Sequence, residues 1–166
     1  MGKDIAHKDF TAWHQEAKSQ FSIEYITPSG RMTSDSQTAY TLGIIFDLFE
    51  KPSQKARAGA RLAEIVRRNR FRIGTGFACA PHILHALVLT GYPQVAYGMM
   101  VGEECPSWLY PITMVATTLW ERWDSMRPNG KVNPGDKRAT ILRCWTGRFD
   151  YAFVRDPKGL STSVYK

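Results

Sequence analysis

Apolar residues recur at helical spacing over most of the chain, and the width of the apolar face changes from one segment to the next. Asp9 to about Phe21 sets Phe10, Trp13, Ala17 and Phe21 on one side with charges between them, which predicts an amphipathic helix near 9–22. Thr27-Pro-Ser-Gly30 through Thr33-Ser-Asp35 is turn-rich and ends in good N-cap residues, with Asp35 read as the cap. From Ser36 to Phe49 the pattern is apolar nearly all round, so a helix over 36–49 should be buried on most sides. Pro52-Ser53 opens a helix near 53–69. Its predicted apolar face is Ala56, Ala60, Ala63 and Val66, opposite Lys55, Arg57, Arg61, Glu64, Arg67 and Arg68. Pro81 to Thr90 is again apolar almost throughout, with Gly91 as its stop, and Pro93 starts a short helix to Val101 that Gly102 ends. A last helical segment is expected from about Thr113 into Trp123, before the turn-rich Arg127-Pro-Asn-Gly and Asn133-Pro-Gly.

The order is therefore amphipathic and buried in alternation, with no obvious place for strands. Helical hairpins with one solvated and one buried member are what a two-layered helical ring requires, so the predicted class is all-α, an incomplete (α/α)6 barrel. About six helices are visible. A closed ring of six hairpins needs twelve, or roughly 200 residues at typical helix and loop lengths. The chain is about half of that. Half a ring would leave the inner faces of 36–49 and 81–90 without partners, a route to self-association.

At 166 residues, 43% apolar and 22% charged, the composition is that of a globular domain. No run approaches the roughly 18 apolar residues of a membrane span, and the first ten residues have no apolar signal-peptide core. Cys79, Cys105 and Cys144 share no zinc or redox spacing and read as free thiols of a reducing, cytoplasmic setting. The net charge of +7 would invite a nucleic-acid partner, but its location argues against one. Residues 1–136 hold 15 basic and 13 acidic side chains, whereas residues 137–166 hold 7 and 2. The expected organisation is a catalytic-type domain over 1–136 and a discordant basic tail over 137–166 that packs poorly on it.

The chemistry-bearing stretch is Glu104-Cys-Pro-Ser-Trp-Leu-Tyr110 followed by Ala116-Thr-Thr-Leu-Trp-Glu-Arg-Trp-Asp124. Glu121 lies between Trp120 and Trp123. Indole faces suit the C–H faces of sugar rings, and a carboxylate among them could activate a water. The plainer alternative is that Glu121 pairs with Arg122 or caps a helix while the tryptophans are core, and the residues alone favour that alternative.

The nine residues 116–124 resemble the Ala-Thr-Thr-(Ile/Leu)-Trp-Glu-Arg-Trp signature of the α-L-rhamnosidases of glycoside hydrolase family 78. Three further segments are similar and in the same order: Thr27-Pro-Ser-Gly-Arg through Gln37-Thr-Ala-Tyr40, Thr75-Gly-Phe77, and Pro106-Ser-Trp-Leu-Tyr110. The resemblance implies an (α/α)6 catalytic domain acting on a terminal α-L-rhamnoside by inversion, without cofactor or metal. It implies that Glu121 is the general base, and Trp120, Trp123, Trp108 and Tyr110 are candidate walls of the sugar pocket. The family's general acid lies in an acidic segment well upstream of this motif, and nothing here resembles it, so residues 1–166 are expected to be inactive alone. The family's Ser-Phe-Asn-His-Tyr-type segment would place a histidine near Leu142, where Lys137-Arg-Ala-Thr-Ile-Leu-Arg-Cys-Trp145 stands instead. Smaller departures are Cys79-Ala80 for the usual Gly-Thr and Val115 for the usual Gly.

Weaker signals compete. Cys79, His82 and His85 have a C-x2-H-x2-H spacing, but zinc needs a fourth ligand, and histidines satisfied on a helix are the better reading. Arg67-Arg-Asn-Arg-Phe-Arg72 is a basic run that could grip phosphate, but at a helix C-terminus it reads better as a solvated face. Glu103 and Glu104 have no reason to pair with Glu121. The alternative function built on these features is a non-enzymatic basic helical module that binds an anionic partner.

Overall fold

The computed structural model describes residues 2–76, 78–116, 120 and 122–133, with side chains from residue 10 onward. Along them run α1 (Gly2–Tyr25), α2 (Gln37–Ile45), α3 (Pro52–Arg68), α4 (Ala80–Leu89), α5 (Pro93–Met100) and the short α6 (Tyr110–Thr113). Extended pairing among the described residues is limited to two isolated bridges, Ile26 with Met32 and Met126 with Val132. The tail 137–166 lies outside the described residues.

The two apolar helices form the inside. α2 packs on α3 and α4, and α4 packs on α5, with α3 also reaching α4 and α5. Tyr40 and Ile44 of α2 meet Leu62 and Val66 of α3, Leu84 and Leu87 of α4 and Met99 of α5 in one buried cluster. Each such side chain contributes about 1.5–3 kcal/mol by leaving water, so this cluster dominates the fold's stability. The inner faces of α2 and α4 are thus covered by each other and by their flanking helices. Among the large apolar side chains that remain exposed are Leu89 at the end of α4, Phe46 at the C-cap of α2, and Phe10 and Trp13 of α1.

Helix ends and buried faces both differ in places from the pattern-based expectation, α1 for instance running over Gly2–Tyr25 rather than 9–22. The helix expected over 36–49 stops at Ile45. Asp47 takes a left-handed φ of 53°, the Leu48 N–H reaches Gly43 O at 2.9 Å and the Asp47 N–H reaches Ile44 O at 3.3 Å, closing a Schellman cap. That reversal returns Phe49 onto Gly43, where its ring is buried. A straight helix would point the same ring away.

The buried stripe of α3 is Ala58, Leu62 and Val66 with Gly59 and Ala63, while Ala56 and Ala60 are exposed. The i, i+4, i+8 row centred on Leu62 buries more apolar area than the alanine row. Gly59 lies so close to Thr90 that a Cβ would fall 2.3 Å from its side chain, letting α3 approach the end of α4.

The face expected on α1 is not buried over its length. Phe10 is 65% and Trp13 63% exposed, and they stack edge-on at 5.5 Å; only the end of the helix, at Phe21, packs on the core. Of the last expected helix, 113–123, the described residues hold only the end of α6 at Thr113, while 117–119 and 121 lie outside the described residues. α6 ends at once because Val115 takes a left-handed φ of 61° and the N–H groups of Val115 and Ala116 return to Ile112 O and Pro111 O, each at 2.9 Å. A left-handed valine, 88% exposed, is strained by its β-branch, at the position where glycine is usual in the resembling family.

Two loops share one backbone design. In Thr27-Pro-Ser-Gly-Arg31 the Gly30 N–H donates to Thr27 O and the Thr27 N–H to Arg31 O, both at 2.8 Å. In Arg127-Pro-Asn-Gly-Lys131 the matching bonds are both 2.9 Å. Gly30 and Gly130 both have positive φ, 85° and 74°, which a side chain resists. Each loop is closed one step further out by a bond from Thr33 to Tyr25 O (3.0 Å) or from Asn133 to Ser125 O (2.9 Å).

Side chains tie the first loop to the helices. Tyr40 Oη accepts the Met32 N–H at 3.3 Å. Asp35 does not cap α2; Ser36 does, its Oγ accepting the Ala39 N–H at 3.2 Å. Asp35 instead takes the Arg61 guanidinium of α3, with Nε at 2.9 Å, and Arg61 also reaches Glu64 at 2.6 Å. The Arg61 hydrogen bonds hold the Asp35 carboxyl down at about 2.

Candidate active site

The loop between α5 and α6 is fixed from behind. The Ile73 N–H donates to Pro106 O at 2.9 Å, after a cis Cys105–Pro106 bond. Segment 72–74 is held in turn by buried Gln37, whose Nε2 donates to Arg72 O (3.1 Å) and whose Oε1 accepts the Gly74 N–H (2.7 Å). Arg72 pairs with Glu104, and that hydrogen bond holds the Glu104 carboxyl below its usual range. The segment 37–40 thus anchors the segment 72–75, which anchors 105–110.

On that base four aromatic rings gather. The buried Ser107 hydroxyl accepts the Tyr110 N–H at 3.1 Å, starting α6. Tyr110 then stands edge-on to Trp120 at 6.2 Å, and its hydroxyl donates to Met126 O at 2.6 Å. Burial raises the Tyr110 phenol above its ordinary value, so it stays a neutral donor. Trp108 stands edge-on to Trp123 at 6.1 Å, and Cys105 Sγ lies 3.6 Å from Trp123 O. Edge-to-face geometry matches the positive rim of one ring to the negative face of the other, worth about 0.5–1.5 kcal/mol per pair beyond area.

The four expected wall residues are therefore brought together as two pairs, Tyr110 with Trp120 and Trp108 with Trp123. Trp120 and Tyr110 are each 5% exposed and Trp108 is also buried; Trp123 keeps more accessible surface. Glu121 lies outside the described residues, as do Thr117, Thr118 and Leu119. On its C-terminal side the chain turns sharply. Arg122 donates to both carboxylate oxygens of Asp124, at 2.5 and 3.1 Å, and holds that carboxyl below its usual range. Asn133 Nδ2 donates to Asp124 Oδ2 at 2.8 Å, and the Ser125 hydroxyl donates to Arg122 O at 2.8 Å.

Ser107, Ser125, Cys105 and Asn133 were given no site role from the sequence. The legible signal was the turn at 127–130, which fixes neither the hairpin around it nor what it is tied to. The competing features resolve into ordinary contacts. Arg67 lies 5.9 Å from the Tyr92 ring centroid, and Arg72 is occupied by Glu104. Cys79 is buried with its thiol 3.9 Å from Thr38 O. Burial, and then His82, lower the pKa of His85 and favour its neutral form. Among the described residues no group of three His, Cys, Asp or Glu side chains could hold a metal ion.

A layered all-helical fold with aromatic pairs beside a carboxylate-bearing segment is the architecture of a helical glycosidase. Residues 1–140 match the model of the bacterial α-L-rhamnosidase six-hairpin glycosidase domain, and the chain belongs to that family. It is 35% identical over 130 residues to an α-L-rhamnosidase of Streptomyces avermitilis, covering 78% of this chain and 12% of that protein. It is also 35% identical over 136 residues to one of Formosa agariphila, covering 81% and 14%. Among solved structures it is similar to the native α-L-rhamnosidase of Aspergillus terreus, with 40% identity, a TM-score of 0.77, and 81% of this chain against 16% of that one. The Streptomyces avermitilis enzyme, solved in complex with L-rhamnose, gives 32% identity and a TM-score of 0.73, over 78% and 12% of the two chains. The fold is an incomplete (α/α)6 barrel. The chain spans about an eighth of the length of the curated relatives it matches.

Proposed function

We propose that this chain carries the base-bearing part of an inverting α-L-rhamnosidase site, with Glu121 as the general base. In this reading Glu121 takes a proton from water as the water attacks the anomeric carbon of a terminal α-L-rhamnoside. A carboxylic acid roughly 6.5–9.5 Å away on the opposite face protonates the leaving oxygen. The observation that carries the reading is the anchoring on both sides of position 121. Trp120 is buried against Tyr110, and Trp123 is held edge-on by Trp108. A base must be held close to its water, and packed indoles on both sides of position 121 support that role for the segment. Trp123, the more accessible of the four rings, is the wall against which a sugar ring would lie, while Trp108, Tyr110 and Trp120 support it from the core. The rhamnose-bound relative supports the substrate class. The near-neutral charge balance of residues 1–136 and the pairing of Arg72 with Glu104 favour this reading over an anion-binding module.

The acid is the missing half. No segment of residues 1–166 resembles the acid-bearing one, and the family match ends at residue 140, close to where the charge balance jumps. We therefore infer that 1–136 is the catalytic-domain portion, that 137–166 is foreign to it, and that residues 1–166 alone do not turn over rhamnosides. General acid and base assistance are each worth about 10²–10⁴-fold. In a full-length relative, Glu→Gln at the position matching Glu121 should lower kcat by that order, because an amide cannot accept the proton. Residues 1–166 assayed on p-nitrophenyl α-L-rhamnoside should show no turnover above the Glu121→Gln variant. Turnover by the monomer that Glu121→Gln abolishes would overturn the missing-acid argument, and an unimpaired full-length Glu→Gln enzyme would overturn the base.

A further inference from the structure

We propose that Asn129 is a site of spontaneous deamidation, and that its conversion to isoaspartate releases the hairpin 125–133 from Asp124. The proposal stands apart from the functional reading above. The chain has three asparagines, Asn69, Asn129 and Asn133. Deamidation begins when the next residue's backbone nitrogen attacks the side-chain amide carbon. Asn69 is followed by Arg70, whose Cβ crowds that approach, and Asn133 by Pro134, which has no N–H to lose. Asn129 is followed by Gly130, where no Cβ intervenes.

The local geometry suits the reaction. Asn129 and Gly130 are both exposed at the tip of the turn. Asn129 Oδ1 accepts the Lys131 N–H at 3.1 Å, which draws electron density from the carbon to be attacked. The Gly130 N–H is engaged by Arg127 O at 2.9 Å, so the turn must open first. Gly130 itself is free of packing, since a Cβ there would meet nothing within 4 Å, so the opening costs chiefly the turn's own hydrogen bonds. The Gly130 nitrogen then bonds to Asn129 Cγ, the Cγ–NH2 bond breaks and ammonia leaves, giving a five-membered succinimide. Water opens the ring at one carbonyl to give aspartate, or at the other to give isoaspartate, with the main chain then running through the side-chain carbons.

Isoaspartate lengthens the main chain by one methylene between 129 and 130. The bond from the Arg127 N–H to Lys131 O and the Met126–Val132 bridge depend on the original length. Asn133 is held in reach of Asp124 by that register, through bonds of 2.8 Å to Oδ2 and 3.3 Å to the backbone oxygen. The first hairpin has Ser29 at the same place and is immune.

The test is incubation of the purified 166-residue chain, its helicity checked by circular dichroism, at mildly alkaline pH with peptide mass mapping. Aspartate and isoaspartate should accumulate at position 129, with Asn69 and Asn133 unchanged. Molecules carrying isoaspartate should be cut by trypsin after Arg122 severalfold faster than unconverted ones. Asn129→Ser, which borrows the residue of the first hairpin, should abolish both changes while leaving helicity intact. An unchanged Asn129 over the time in which a synthetic peptide of residues 125–133 converts would overturn the site. Conversion without faster cutting after Arg122 would overturn the release, and so would a chain cut there equally fast before conversion.

Discussion

Residues 25–33 and 125–133 carry the same sequence pattern, with proline at 28 and 128, a left-handed glycine at 30 and 130, and a basic residue at 31 and 131. They close the same backbone hydrogen bonds. Their surroundings differ. The first hairpin buries Ile26 and Met32, and Gly30 is pressed on α3, where a Cβ would fall 2.8 Å from Gln54 Cα and 2.9 Å from its oxygen. The second leaves Val132 exposed and Gly130 in open space, and is tied to the rest through the Tyr110 hydroxyl on Met126 O. Local turn chemistry therefore decides the shape of such a loop, and tertiary packing decides how much stability rests on it.

The sharpest way to break this comparison is the same substitution in both loops. Gly30→Ala combines the left-handed penalty, roughly 1–2 kcal/mol, with a clash against backbone that cannot move aside, typically another 1–3 kcal/mol. A loss of roughly 2–5 kcal/mol is expected, a large share of a marginal domain's stability. Gly130→Ala carries the left-handed term alone and should cost about 1 kcal/mol. Urea denaturation of the two variants measures the difference, and equal losses would mean that packing on α3 adds nothing.

Removing the second hairpin's tether comes next. Tyr110→Phe deletes the donor to Met126 O while keeping the ring on Trp120, so the loss should be about 1 kcal/mol, the usual net worth of such a bond. Trypsin should cut after Lys131 faster, with no change near Arg31. Faster cutting at Arg31 as well would show that the tether acts on the whole domain.

Turn-forming residues are legible in the sequence, whereas tertiary demands on the backbone are not. The proline and glycine positions announced both turns but not the hairpins around them, and Pro52, Pro93 and Gly91 marked helix ends that the structure keeps, because these residues act through their own backbone. Helix ends made by residues with no such bias were illegible. Asp47 and Val115 adopt left-handed φ because Phe49 returns to the core and α6 must turn back, and both are tertiary demands. The same holds at the site. The Trp-Glu-Arg-Trp segment could be read as chemistry, but nothing local says that Gln37 braces it through Arg72 and Gly74, or that Ser107 starts α6. Long-range hydrogen bonds leave no period in the sequence.

Val115 offers a gain rather than a loss. The second hairpin is reached through this strained residue, and Val115→Gly should relieve roughly 1–2 kcal/mol of left-handed strain. About 0.5–1 kcal/mol of that is returned as backbone freedom in the unfolded chain, so the net stabilisation should lie between about 0 and 1.5 kcal/mol. Thermal melting would register a small rise. Val115→Ala, which removes the β-branch but keeps a Cβ, should fall between the two. A lower melting temperature for the glycine variant would mean that Val115 makes contacts that outweigh its strain.

The smallest expected effect concerns the two aspartate–arginine pairs beside the hairpins. Asp35 is paired across 26 residues with Arg61, whereas Asp124 is paired with Arg122 two residues away. The unfolded chain retains the proximity of 122 and 124 but not that of 35 and 61. Both carboxyls are depressed, Asp35 to about 2 by the Arg61 hydrogen bonds and Asp124 by those of Arg122. A depressed carboxyl contributes stability that is present above the unfolded value, about 3.9 for aspartate, and that disappears as pH falls through the folded one. Stability should therefore drop between about pH 4 and pH 2, and the part due to Asp35 should vanish in Arg61→Met. Both pairs face solvent, so screening keeps the change to a few degrees of melting temperature at most and added salt should shrink it. Arg122→Met should alter the acid limb less than Arg61→Met, because its pair adds little that the unfolded chain lacks. Thermal melts of the two variants at pH 7 and at pH 3 decide it. A larger acid-side change in Arg122→Met would place the electrostatic anchor at the second hairpin instead of the first.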